Sequence, residues 1–271
     1  MSDLFIVLLM LLGAATGFLA GLLGIGGGML LVPFLTMLFT AQAFPQQHVL
    51  HMAVATSLTT ILFTSASSVL AHHRRGAVRW DIVRAMAGGA VLGTFAGAQL
   101  ASLVRTRWLA LFFAVFVGYS GLAMLRNSRR IVPDEGRPLF GTLGLAGAGS
   151  GIGFLSSLVG AGGGFITVPF LGWCRVVIHE AVATSAALGF PIAAGGLVGY
   201  VVAGWNVEGL PPLAFGFIYL PALVVCAIAS MLTAPFGARA GHALDVKSLN
   251  KIFALLLIGL AMYMAWEAYR S

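Results

Sequence analysis

Charge is scarce in this 271-residue chain. Asp, Glu, Lys and Arg together make up 8% of it against 59% hydrophobic residues, and mean hydropathy is +0.99. A water-soluble fold of this size needs far more polar surface, so that class is excluded. Residues 4–73 contain no acidic or basic side chain at all. Further charge-free stretches occupy residues 85–104, 108–125, 138–174, 181–207, 209–238 and 252–266. A membrane-crossing helix needs ~20 mostly apolar residues, so the first stretch alone has room for three crossings. None of these runs shows the two-residue alternation of an outer-membrane barrel, and lipid tolerates no unpaired backbone, so helices are expected throughout.

Other absences narrow the function. Cys174 and Cys226 are the only cysteines, in apolar surroundings and without CxxC spacing. They point to neither a disulfide framework nor a metal site and read as packing residues. No Lys-Ser or Lys-Thr follows a glycine run, which removes a P-loop and with it ATP as the energy source. The spans lack HExxH spacing and carboxylate pairs, so an intramembrane enzyme is a weak alternative. No cofactor or metal is expected. Met1-Ser2-Asp3 lacks the positive start of a secretory signal, so residues 4–23 are expected to be a retained first span.

Glycine, by contrast, is abundant, with 36 residues, and it marks a repeat. GFLAGLLGIGGGMLLVPFL at residues 17–35 returns as GFLSSLVGAGGGFITVPFL at 153–171, an offset of 136. HMAVATS at 51–57 returns as HEAVATS at 179–185, an offset of 128. Two blocks in the same order imply two related halves, as in many secondary transporters. The expected units are residues 1–125, a linker at 126–138, and residues 139–271.

Basic residues decide how many times each half crosses. With five crossings per half, Arg105, Arg107 and Arg270 lie on one side and the other 12 of the 15 Lys and Arg residues on the opposite side. With four crossings and a re-entrant glycine hairpin the split is 9 against 6. The positive-inside rule favours the first scheme. The predicted fold is therefore an all-α polytopic membrane protein of inverted 5+5 helices, multi-pass in the cell inner membrane. Residues 29–40 and 165–174 form its short crossing segments, broken at the glycine runs.

At Gly24, Gly26, Gly27 and Gly28, and at Gly160, Gly162, Gly163 and Gly164, a helix cannot easily continue. Unwound backbone ahead of a short helix offers unpaired N–H groups and a positive dipole end, which suits a small anion. The competing reading is close helix packing by small residues. Pro33 and Pro169, five residues beyond each run, are expected to kink or end the short helices. Thr56, Thr60, Thr64 and Ser67 form a helical stripe of hydroxyls able to donate to an anion, or else to bond back to carbonyls of their own helix. Ser57, Thr184 and Ser185 complete the matched hydroxyl set. His51 and His179 occupy matching positions, suited either to a proton or anion contact or to capping.

Taken together, the paired blocks resemble the TauE/SafE sulfite exporter family, a resemblance that covers essentially the whole chain. It implies a secondary permease for sulfite, organosulfonates or related small anions. With the lipid bilayer as solvent and no ATP site, energy is expected from ion or substrate gradients, with a proton or sodium as the coupling ion to consider. A passive anion channel is the alternative. The charge asymmetry predicts that residues 126–138 are cytoplasmic and both termini external. Single cysteines labelled from each side will report this, and a C-terminus reached from the cytoplasm overturns the five-plus-five scheme as oriented here.

Overall fold

The computed structural model describes residues 3–23, 27–127, 139–240 and 246–270. Its first half contains α1 (Asp3–Leu23), α2 (Gly28–Ala41), α3 (Gln46–His73), α4 (Trp80–Leu103) and α5 (Thr106–Asn127). The second contains α6 (Thr142–Val159), α7 (Gly164–Trp173), α8 (Ile178–Gly204), α9 (Leu220–Ala240) and α10 (Val246–Arg270). A hairpin of β1 (Ala214–Phe215) and β2 (Ile218–Tyr219) precedes α9. Among the described residues, eight helices are long and apolar enough to cross a bilayer, and the two shorter apolar ones are α2 and α7. Polarity is turned inward: Thr56, Ser57 and Thr184 are fully buried, whereas Leu103 and Leu143 are more than four-fifths exposed. That distribution suits a hydrocarbon solvent.

Small residues set the tightest packing. Gly89, Gly93 and Gly97 of α4 lie against Ala146, Ser150 and Phe154 of α6, and Gly13 and Gly17 of α1 lie against Cys226 and Ser230 of α9. Residue numbers rise together in both pairs, so each pair runs parallel. A glycine every fourth position brings two backbones close enough for dispersion to hold them where the hydrophobic effect cannot. Corresponding helices of the two halves meet antiparallel. Leu58 of α3 fills the space at Gly196 of α8 while Ser65 meets Gly189, and Gly118 and Gly121 of α5 meet Ala261 and Ile258 of α10. Exchanging α1–α5 for α6–α10 turns the α4–α6 contact into α9–α1, and α4–α8 into α9–α3; all four contacts are present.

Both short helices start inside the molecule. Gly27, just ahead of α2, lies against Thr16 and Ala20 of α1, and from there α2 runs to the end where Thr36 and Thr40 share a pocket with Gln46 and Arg270. From Gly163 beside Ser156, α7 runs the opposite way, reaching Phe140 with Phe170 and Trp173. With 14 and 10 residues, they are about 21 and 15 Å long. Pro33 and Pro169 do not end them: both helices continue to Ala41 and Trp173. Each ring is the sixth residue of its helix, and lacking an N–H it forfeits one i→i−4 hydrogen bond without stopping the helix.

The ends of the bundle separate the arginines. Arg79 pairs with Asp81 at 2.7 Å and with Glu180 at 3.5 Å, joining the α3–α4 turn to the start of α8. At the opposite end the Thr106 hydroxyl donates to the Gln47 carbonyl at 2.6 Å, and Arg270 lies in the nearby pocket.

The glycine contacts generate a paired test. Gly93→Ile pushes a branched side chain into the α6 backbone at Ser150, whereas Gly88, one turn away in the same helix, faces open space. Overpacking costs about 1–3 kcal/mol, so Gly93→Ile is expected to lower the thermal midpoint in detergent by several degrees while Gly88→Ile leaves it within about 1 kcal/mol of the parent. Equal melting of the two variants would remove the close-packing account.

Candidate functional site

The two glycine runs come together in the interior. A side chain on Gly28 would strike the Gly160 carbonyl and the Ala161 Cα, and one on Gly160 would meet Val32 of α2 and Val54 of α3. Ser57 fastens the crossing: its hydroxyl donates to the Gly160 carbonyl at 2.8 Å, and the Gly28 carbonyl is also in reach at 3.4 Å. These carbonyls belong to different halves, so one hydroxyl of α3 holds the end of α6 and the start of α2 together. Gly24 and Gly26 lie outside the described residues.

Backbone handedness explains part of the glycine requirement. Gly27 and Gly163 immediately precede α2 and α7 in the left-handed region, at φ of 65° and 75°, and Gly160 caps α6 at 67°. An L-residue in that conformation loses roughly 1–2 kcal/mol. The Gly163 α-carbon also faces Ile192, Ile152 and the Ser156 hydroxyl, which is 3.0 Å from where a Cβ would sit. Gly162 and Gly164 are buried in the same crossing.

Thr56 and Thr184 are matched in the fold as they are in sequence. The Thr56 hydroxyl accepts the Tyr219 N–H at 3.1 Å, and the Thr184 hydroxyl accepts the Arg79 N–H at 3.1 Å. Each threonine therefore pins the entry of a helix in the other half, α9 and α4 respectively, by taking up a backbone donor ahead of its first turn. Thr60 and Thr64 donate back to the Thr56 and Thr60 carbonyls, and Ser67 donates to Met231 across to α9. The hydroxyl stripe is thus largely engaged within the protein.

The matched histidines part company. His51 is buried, and its Nε2 lies 3.0 Å from both the Ala101 and Val104 carbonyls. Nε2 must carry the proton, so the ring caps the carboxyl end of α4, and it stacks on Phe217 at 5.5 Å. His179 is exposed at the start of α8. Cys226 is buried against α1, where its thiol donates to the Leu9 carbonyl at 3.4 Å, and Cys174 is buried after α7.

Three fully or almost fully buried hydroxyls have no hydrogen-bond partner: Ser156, Thr167 and Ser68. They surround the second glycine run. At the aligned positions of the first half or second half stand Ala20, Leu31 and Gly196. The signal that marks them in sequence is a polar residue whose repeat mate is apolar, which a search for matched polar pairs overlooks. Beside them, a cavity of about 10 Å³ is bordered by Thr64, Ser65 and Ser68 of α3, Gly162, and Ser185 and Gly189 of α8. No charged side chain borders it. Among the described residues no group of three His, Cys, Asp or Glu could hold a metal ion.

Among the described residues, ten apolar helices, two of them short and opening from crossed glycine breaks, define the class of polytopic helical membrane proteins with discontinuous helices at their centre. The model of the sulfite exporter TauE/SafE family matches residues 9–264, and the chain belongs to that family. It is 35% identical over 262 residues to a "Probable membrane transporter protein" of Haemophilus influenzae, covering 96% of this chain and 98% of that one. A protein of the same description from Methanocaldococcus jannaschii is 26% identical, with 96% of each chain covered. YunE of Bacillus subtilis, described likewise, is 27% identical over 93% of this chain and 92% of its own. No solved structure matches the chain significantly.

The threonine contacts can be tested as a pair. Thr56→Val strands a buried backbone N–H, a loss of about 1–3 kcal/mol, and Thr184→Val strands a part-buried one that water can partly repair. Both variants are expected to melt lower in detergent, Thr56→Val by more, and Thr→Ser at either position to restore most of the stability. Unchanged melting of both Val variants would mean that the threonines do not anchor α4 and α9.

Proposed function

We propose that this membrane transporter is a secondary permease for a small anion, with sulfite, organosulfonates and related sulfur oxyanions as its substrate class. The observation that carries this reading is the crossing of the two glycine runs, fastened by Ser57 to the Gly160 and Gly28 carbonyls. Broken helices at such a crossing leave backbone N–H groups and two positive helix ends without intrahelical partners. With no lysine or arginine in this interior, those groups are the available counterparts for a negative charge. The buried, unpartnered hydroxyls of Ser156 and Thr167 supply further donors near the second run. Sulfur oxyanions suit such a site because they accept several hydrogen bonds at once, and family membership favours the same class.

The two halves are read as an inverted repeat. Support comes from the antiparallel meeting of α3 with α8 and of α5 with α10, and from contacts that survive exchange of the halves. A pseudo-two-fold axis in the membrane plane then passes through the crossing, and alternating access proceeds by exchanging the two halves' conformations. The chain is placed in the cell inner membrane with both termini external.

Flux into proteoliposomes decides the reading. Purified protein is expected to accumulate sulfite or an organosulfonate against its gradient when an ion gradient is imposed, and not to accumulate sugars or cationic amines. Gly28→Ala, which separates the runs, is expected to reduce flux at least tenfold while Gly88→Ala keeps it. Downhill leakage alone would make the protein a channel, and full flux by Gly28→Ala would remove the crossing from the pathway.

A further inference from the structure

The cavity beside Gly162 carries chemistry opposite to that of an anion site. Thr64 donates to the Thr60 carbonyl at 3.2 Å and Ser65 to the Leu62 carbonyl at 3.3 Å. With its proton used on its own helix, the Ser65 hydroxyl presents oxygen lone pairs to the space between α3 and α8, and Thr64 borders the same space with its oxygen 2.7 Å from the Ser230 hydroxyl of α9. The Gly162 carbonyl, an acceptor only, faces the same seam: it is 3.8 Å from the position of a Cβ on Gly189, which is itself 3.3 Å from the Ser65 Cβ. Ser68, 3% exposed, opens onto the cavity with its hydroxyl unpartnered. A buried hydroxyl without a partner costs about 1–3 kcal/mol, so an occupant that supplies the missing contact is favoured.

Size and charge select that occupant. The space is about 10 Å³, room for one water-sized guest. A sulfur oxyanion does not fit. A divalent cation would want carboxylates to offset its charge, and none borders the cavity. Neutral hydroxyl and carbonyl oxygens converging beside an unwound helix are suited to a desolvated monovalent ion.

We infer that the cavity formed by Thr64, Ser65, Ser68, Ser185 and the Gly162 carbonyl is a sodium site coupled to anion movement, an inference that rests on the transporter reading for the coupling though not for the binding. Gly162 links the two events: an ion held there fixes the glycine run between α3 and α8 and so sets where α7 begins. The ion's charge also offsets that of an anion at the neighbouring crossing. One ion is expected per chain, because the mate of this cavity in the other half is filled. Thr64, Ser65 and Ser68 align with Ile192, Ala193 and Gly196, and Leu58 occupies the space at Gly196.

The test measures binding apart from transport. Purified protein is titrated with radiolabelled sodium at constant ionic strength in choline chloride, and thermal midpoints are compared in sodium, potassium and choline. Saturable binding near one ion per chain is expected, with a higher midpoint in sodium than in potassium or choline. Ser68→Ala and Ser65→Ala are expected to weaken binding at least tenfold, and Ser120→Ala, on α5 away from the cavity, to leave it unchanged. Equal midpoints in sodium and choline would mean that the cavity holds only water, and wild-type binding by Ser68→Ala would place any sodium elsewhere; either result overturns the site. In proteoliposomes, anion flux indifferent to sodium overturns the coupling and leaves the permease standing. Sodium binding without anion flux does the reverse.

Discussion

Hydrocarbon offers no hydrogen bonds, so each break in a membrane helix has to be repaired by protein. This chain breaks two helices at its centre, and the repair is local: Ser57 reaches the Gly160 and Gly28 carbonyls, Ala161 donates back to the Ser156 carbonyl, and Leu30 and Leu31 share the Gly27 carbonyl. The rest of the bundle follows from that demand. Such backbone must be buried in protein, and α3 and α8 supply the burial by crossing antiparallel over it. The glycine seams between α4 and α6 and between α1 and α9 then hold the outer helices tightly enough to keep lipid out.

Threonine and histidine serve this frame as much as any ligand. Thr56 and Thr184 stand one residue before Ser57 and Ser185, so the same short block of α3 and α8 reaches the glycine crossing with one side chain and the entry of a helix in the opposite half with the next. The crossing is thereby joined to the entries of α9 and α4. His51 does related work one turn earlier by holding the end of α4. The β1–β2 hairpin adds Phe217 against His51 and Tyr219 against Thr56, closing the bundle end that bears α3's start.

The crossings were legible in sequence because hydrocarbon imposes one requirement, long apolar runs, and composition reports it directly. The short helices were legible for another reason: Gly27 and Gly163 adopt left-handed angles that other residues avoid, and their duplication announces where the chain turns. The hairpin at residues 214–219 was not, since two-residue strands leave no periodicity to read. The partners of Thr56 and Thr184 were also out of reach, because each lies in the other half, more than 100 residues away. His51 and His179 look equivalent in their blocks. Only the end of α4, arriving from elsewhere in the chain, makes one a buried cap and leaves the other exposed.

The two halves are interchangeable in packing but not in polarity. Ser156, Thr167 and Ser68 correspond to Ala20, Leu31 and Gly196 at the matching positions, so the unpartnered hydroxyls gather at the second glycine run, and their mates in the other half carry no hydroxyl. Under the proposed inverted-repeat reading, such an imbalance has a physical use. Equivalent packing keeps the two exchanged conformations close in energy, which reversible movement requires, while unequal polarity keeps the ligands' contacts on one half throughout the exchange. On that reading, a substrate or ion held mainly by the second run would see the first half move past it, so its access would change without its binding contacts having to be rebuilt.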